Sequence, residues 1–320
     1  MSKLKFKRTI GLFAMAFTLA WPKTGFSQTI AEPINLTPQG FTKSTLKTPA
    51  GEMTVFESGQ GEPLLLLHGV GAGASSFIWH AIAPELAKHY RVIAPDFVGW
   101  GESEHPARPV LFDDYVQQIT ALGQWINQPV KVVTQSVTSG FVIAAMQKKS
   151  IDVSRLSLHA PSGGLDFGID AFGEAATQNF ARIAESPQRK EVYKQIFHQR
   201  PAVEDWYRNI GFLDPEACPE EIIEAGVYNA RQPNASYSAL PFLSGKLRYD
   251  IAPLLREVTI PTLMIWGESE IQINAQLRQK IEQVNPKIEV VRINKARSTF
   301  EIEQPEQTLN VLLAFLKGND

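Results

Sequence analysis

Histidine is scarce in this chain of 320 residues: there are six, they are scattered, and none follows His198. No two of them stand at a metal-ligand spacing, so no metal is expected. Cysteine is scarcer still. Cys218 stands alone, which excludes an intramolecular disulfide, and with no histidine near it in sequence it reads as a partly buried, inert thiol. The glycines after the first buried run do not form Gly-x-Gly-x-x-Gly in register with a downstream acid, and no Gly-Lys-Ser/Thr follows them, so no dinucleotide or other cofactor is expected. A formal net charge of −2 lacks the basic excess that nucleic acid or an anionic membrane would call for. Internal repeats and low-complexity tracts are missing too, as is any apolar run beyond the N-terminus long enough to cross a bilayer.

The apolar fraction, 44%, supports a sizeable core. The N-terminus carries Lys3, Lys5, Lys7 and Arg8, then an apolar run from Ile10 to Trp21, then small and polar residues to Ser27. This is the pattern of a secretory signal peptide over 1–27, which implies a secreted or periplasmic protein; an uncleaved membrane anchor is the alternative.

After a polar lead-in, short apolar runs alternate with helical spacing. Strands are expected at Met53–Phe56, Pro63–Leu67, Arg91–Ala94, Val130–Thr134, Leu156–His159, Thr262–Trp266 and Ile288–Ile293. Helices are expected at Ser76–His89, Leu111–Ile126, Val137–Lys149, Asn274–Gln283 and Pro305–Leu316. Runs that are apolar on both faces indicate a mostly parallel sheet flanked by helices, an α/β class. From 163 to 250 the periodicity is helical, without a convincing strand, and aromatic residues from Phe172 to Phe242 punctuate it. The expected organisation is therefore a core over 28–162 and 251–320, interrupted by a helical cap at 163–250.

Ligands bind open α/β sheets at the carboxyl ends of the strands, so the turns there matter most. One reads His68-Gly69-Val70-Gly71-Ala72-Gly73. It is either a plain tight turn or an oxyanion site using the N–H of Val70. A second reads Thr134-Gln135-Ser136-Val137-Thr138 and leads into a helix. A serine on a sharp strand-to-helix turn has the geometry of a nucleophile elbow, and the N–H of Val137 at the helix N-terminus could stabilise an oxyanion. Glycines usually relieve crowding two places from such a serine; here bulky threonines occupy both, and an ordinary turn is the other reading.

These turns, with Ala94-Pro95-Asp96, Gly99-Trp100-Gly101-Glu102-Ser103, Ile260 to Gly267 and Glu303-Gln304-Pro305-Glu306, occur in the order and spacing of the α/β-hydrolase superfamily. The chain resembles that superfamily from about residue 52 to 317, in particular its members with a helical cap after the sixth strand and, more loosely, cyanobacterial ones. The resemblance implies an α/β-hydrolase fold and a triad of nucleophile, acid and histidine. Ser136 matches the nucleophile, and its being a serine argues against the halide chemistry of relatives with an aspartate nucleophile. Glu270 falls on the acid position, or is a solvated surface carboxylate. Counting back from Glu303 to the histidine position reaches Ser298.

A serine at 298 cannot take a proton from Ser136 near neutral pH, and losing the histidine of such a triad costs on the order of a millionfold in kcat in a protease of another fold. Substitute bases to be considered are His159 at the end of a strand, His198 in the cap, and Lys295 beside the vacated position; His68 is expected to support its loop. Two readings stay open. One is a divergent hydrolase acting on a carboxylic ester or in acyl transfer through Ser136. The other is a non-catalytic protein that keeps the cleft for a small apolar or ester-like ligand or a protein partner.

Overall fold

The computed structural model describes residues 34–318; the expected signal segment at 1–27 lies outside them. Eight strands form one sheet in the order β1-β2-β4-β3-β5-β6-β9-β10. They are β1 (Thr42–Thr48), β2 (Gly51–Ser58), β3 (Pro63–Leu67), β4 (Arg91–Pro95), β5 (Val130–Gln135), β6 (Val153–His159), β9 (Thr262–Gly267) and β10 (Glu289–Ile293). The remaining two, β7 (Leu165–Asp166) and β8 (Ile169–Asp170), pair as a small separate hairpin. β1, β2 and β4 pair antiparallel and every other neighbour in the sheet is parallel.

The strands at the centre are buried on both faces, as their continuous apolar runs require. All five residues of β3 are buried. Leu65 and Leu67 join one core layer with Val132, Leu156, Leu158, Met264 and Trp266. Leu64 and Leu66 join the other with Val92, Val133, Leu263 and Ile265. This alternation is the period-two geometry of a pleated strand feeding two helical layers.

Three expectations need correction. The polar lead-in forms β1, an edge strand whose residues are mostly exposed and so carry no apolar alternation. Ser76–His89 is not one helix. A 3₁₀ turn covers Ser76–Trp79 and a separate short helix covers Ala83–Leu86, with Pro84 in its first turn. Proline suits a helix start but clashes with the carbonyl four residues earlier, which stops the two from fusing. The β7–β8 hairpin falls inside the region read as wholly helical; its two-residue strands are too short to leave a periodic signal.

Between residues 163 and 250 the chain otherwise forms helices, among them Glu174–Glu185, Arg189–Phe197, Glu220–Ala230 and Ser236–Leu243, with a π-helical turn at Trp206–Gly211. Tyr249, near the end of this insertion, ties it to the helix that follows β5. Its hydroxyl donates to the carbonyl of Val137 and accepts from the N–H of Gly140 at 3.0 Å. A Cβ at Gly140 would lie 2.2 Å from that hydroxyl, so only glycine lets the ring approach the helix Thr138–Gln147. Gly140→Ala is expected to displace Tyr249 and cost about 1–3 kcal/mol, as overpacking does, measured as a lower denaturation midpoint.

Candidate active site

Ser136 follows the last residue of β5, with φ at 56°. That left-handed conformation costs a non-glycine residue on the order of 1–3 kcal/mol and persists only where the surroundings enforce it. They do so here. The N–H of Ser136 donates to the carbonyl of His159 at 2.9 Å, and its own carbonyl accepts from Ser139 at 3.2 Å at the start of the next helix. The threonines that replace glycine in this turn are accommodated rather than tolerated at a distance: both are fully buried, and Thr138 Oγ1 donates to the carbonyl of His68 at 2.7 Å. Opposite, the N–H of Gly69 donates to Gln135 Oε1 at 3.3 Å. The serine turn and the glycine-rich turn are thereby locked to each other.

Ser136 opens onto a cavity of about 330 Å³ shared with Val70, Val137, Glu270 and Ser298. All four segments singled out in the sequence thus meet at one place. Neither the N–H of Val70 nor that of Val137 has a hydrogen-bond partner among the described residues, which leaves both free for a ligand oxygen. The cap contributes Phe172, Phe197, Trp206, Tyr207 and Phe242, so half of the aromatic residues that punctuate it form the cavity wall. Among the described residues, no lysine or arginine lines the cavity.

Glu270 is buried, not a solvated surface group. Its Oε1 accepts from the N–H groups of Gln272 at 2.5 Å and Ile273 at 3.4 Å. Its Oε2 accepts from Ser298 Oγ at 2.6 Å. The carboxylate forms no ion pair among the described residues. Gln272, which the sequence reading missed, places Oε1 3.1 Å from the same serine hydroxyl. One proton cannot serve both acceptors, and the shorter, charge-assisted bond to Glu270 takes it.

None of the substitute bases reaches Ser136. His159 is wholly buried between Trp79 and Phe300, with ring centroids 5.6 and 5.0 Å away, and its Nδ1 is 2.6 Å from Glu301 Oε1. It belongs to the opposite core layer and does not line the cavity. His198 packs edge-on against Tyr193 at 5.7 Å, away from the cavity, and burial together with Lys194 and Arg231 lowers its pKa to about 4. Lys295 is exposed, so it lacks the burial a lysine base needs. His68 touches the cavity, yet both its nitrogens are taken: Nδ1 is 2.6 Å from the carbonyl of Gly69 and Nε2 accepts from the N–H of Phe97 at 3.0 Å. Burial lowers its pKa to about 4, so it is neutral near pH 7 and fixes the turn, as expected of it. Arg297 reaches toward the insertion instead, donating to the carbonyls of Asn209 at 2.6 Å and Phe212 at 3.0 Å.

Residues 64–311 match the alpha/beta hydrolase family. The 2-hydroxymuconate semialdehyde hydrolase of Pseudomonas sp. (strain CF600) is 39% identical over 125 residues, 36% of this chain and 43% of that protein, so the aligned stretch spans less than half of that relative. The 2-(acetamidomethylene)succinate hydrolase of Mesorhizobium japonicum is 25% identical over 82% of this chain and 91% of its own. The carboxylesterase CesB of Bacillus subtilis shares the fold, with a TM-score of 0.70 at 18% identity over 89% of this chain and 94% of that one.

The buried His159–Glu301 pair generates a test of its structural role. Leaving a buried ring nitrogen without its hydrogen-bond partner costs about 1–3 kcal/mol. Glu301→Ala is expected to lose that much in chemical denaturation, while Glu301→Gln, whose amide oxygen can still accept from Nδ1, loses clearly less.

Proposed function

The chain belongs to the alpha/beta hydrolase family, and from that premise we propose that it works on a carboxylic ester or a related acyl compound through Ser136, with Ser298 standing where its relatives hold histidine. The observation that carries this reading is the strained φ of Ser136 at the cavity, beside the free N–H groups of Val70 and Val137. Strain of this kind is maintained where a side chain must be presented. In the proposed reaction Ser136 Oγ attacks the acyl carbon, and the two N–H groups receive the oxyanion that forms. Such donors contribute about two to three orders of magnitude to an acyl transfer. Glu270 holds the acid position.

The wall of the cavity supports a small, largely apolar ligand. Relatives named as hydrolases and the esterase of like fold support acyl chemistry; a location outside the cytoplasm is proposed from the signal-like N-terminus alone. One observation favours a second reading, a cleft that binds without turning over: the partner of Glu270 is a hydroxyl, which cannot serve as general base near neutral pH.

A fluorophosphonate probe separates the two. Labelling of the wild type and not of Ser136→Ala supports the acyl-transfer reading, and labelling of neither supports binding alone. If the triad is placed correctly, Ser298→His raises p-nitrophenyl ester turnover by at least about a hundredfold, the lower range of general-base contributions. Unchanged turnover in a folded Ser298→His variant would contradict the placement.

A further inference from the structure

The cavity contains an incomplete relay rather than a dismantled one. Glu270 is buried, fixed by two backbone N–H groups, and accepts a hydrogen bond from Ser298 Oγ at 2.6 Å. With its hydrogen directed at the carboxylate, Ser298 Oγ has lone pairs left to accept another donor. Ser136 lines the same cavity, and among the described residues no side chain accepts its hydroxyl hydrogen. Among the described residues, no lysine or arginine in the lining neutralises Glu270. A buried carboxylate without a countercharge attracts a group that becomes cationic.

We propose that this space takes a base supplied by the ligand, an imidazole or amine nitrogen seated between Ser136 Oγ and Ser298 Oγ. The inference rests on the acyl-transfer reading of Ser136. The ligand class that follows is an apolar ester or acyl compound bearing such a nitrogen, or a free base of the same chemistry acting beside it. With imidazole, one ring nitrogen accepts from Ser136 while the other donates its N–H to Ser298, which donates in turn to Glu270. On attack, Ser136 Oγ forms a bond to the acyl carbon and the carbonyl electron pair moves to oxygen, facing Val70 and Val137. The serine proton passes to the ring, giving an imidazolium stabilised by Glu270. As the oxyanion collapses, the bond to the leaving alkoxide breaks and the ring returns that proton to it. Water then releases the acyl group, with the ring again taking and returning one proton.

The test measures the rate of fluorophosphonate labelling of Ser136 in the full chain, with imidazole as the probe base. Imidazole is expected to accelerate labelling at least about tenfold, within general-base magnitudes, and the dependence is expected to saturate. Ser298→Val, which removes the acceptor and fills the space, is expected to bring the ratio of rates with and without imidazole close to one. 1-Methylimidazole, lacking the N–H, is expected to accelerate less than imidazole. An imidazolyl-propanoate ester and its phenyl isostere, each corrected with Ser136→Ala, separate the two sources of the base. A faster imidazolyl ester assigns it to the substrate, and equal turnover with a retained effect of free imidazole assigns it to a second molecule. A linear imidazole dependence, or the same ratio in Ser298→Val, would overturn the proposal. If Ser298→His is labelled while imidazole does nothing for the wild type, the proposed base site is wrong and the reading of Ser136 stands. If neither is labelled, both fall.

Discussion

A carboxylate withdrawn from water must be given donors, and the way Glu270 receives them governs the rest of the cavity. Two come from the backbone of the turn that follows β9, and the third is the hydroxyl of Ser298. In a Ser-His-acid arrangement the third donor is an imidazole N–H, which passes the influence of the acid on to the nucleophile. A hydroxymethyl group satisfies the carboxylate equally well as a donor. It ends the chain of hydrogen bonds there, because it has no basic atom to offer Ser136. Glu270 is therefore fully supplied with donors, while Ser136 is left without a base among the described residues.

The architecture around Ser136 is costly, and it is intact. Ser136 keeps its left-handed backbone, the neighbouring threonines are buried in the turn, and Thr138 binds the carbonyl of His68. His68 in turn is held neutral by burial and spends both ring nitrogens on the backbone. Tyr249 clamps the first turn of the following helix through Val137 and Gly140. These interactions fix where Ser136 and the two free N–H groups sit. They do nothing to activate the hydroxyl, and the two properties separate cleanly in this molecule.

The sequence disclosed what depends on local pattern. Five consecutive buried residues from Pro63 to Leu67 read as a central strand because each face meets a helical layer. Val70, Ser136 and Val137 were legible from their turns, Glu270 and Ser298 only from the resemblance to the α/β-hydrolase superfamily, and all five share one cavity. What stayed hidden depends on three-dimensional surroundings. β1 has an exposed polar edge and so no alternation to detect. Whether Glu270 was buried or solvated could not follow from its neighbours in sequence. His159 and Glu301 are far apart in the chain, and only the packing of Phe300 beneath β6 makes them partners. Gln272 gave no signal beyond its proximity to Glu270, since its role arises from where residue 298 returns to the sheet edge.

The most direct test of the central claim is the pH dependence of Ser136 labelling by a fluorophosphonate with no base added. A resident histidine would impose an inflection near its own pKa, about 6.5 when unperturbed. With only hydroxide to take the serine proton, the rate should rise about tenfold per pH unit from about pH 6 to 9, without a plateau. An inflection between about pH 6 and 7 followed by a plateau would show that an imidazole reaches Ser136, and would contradict the account.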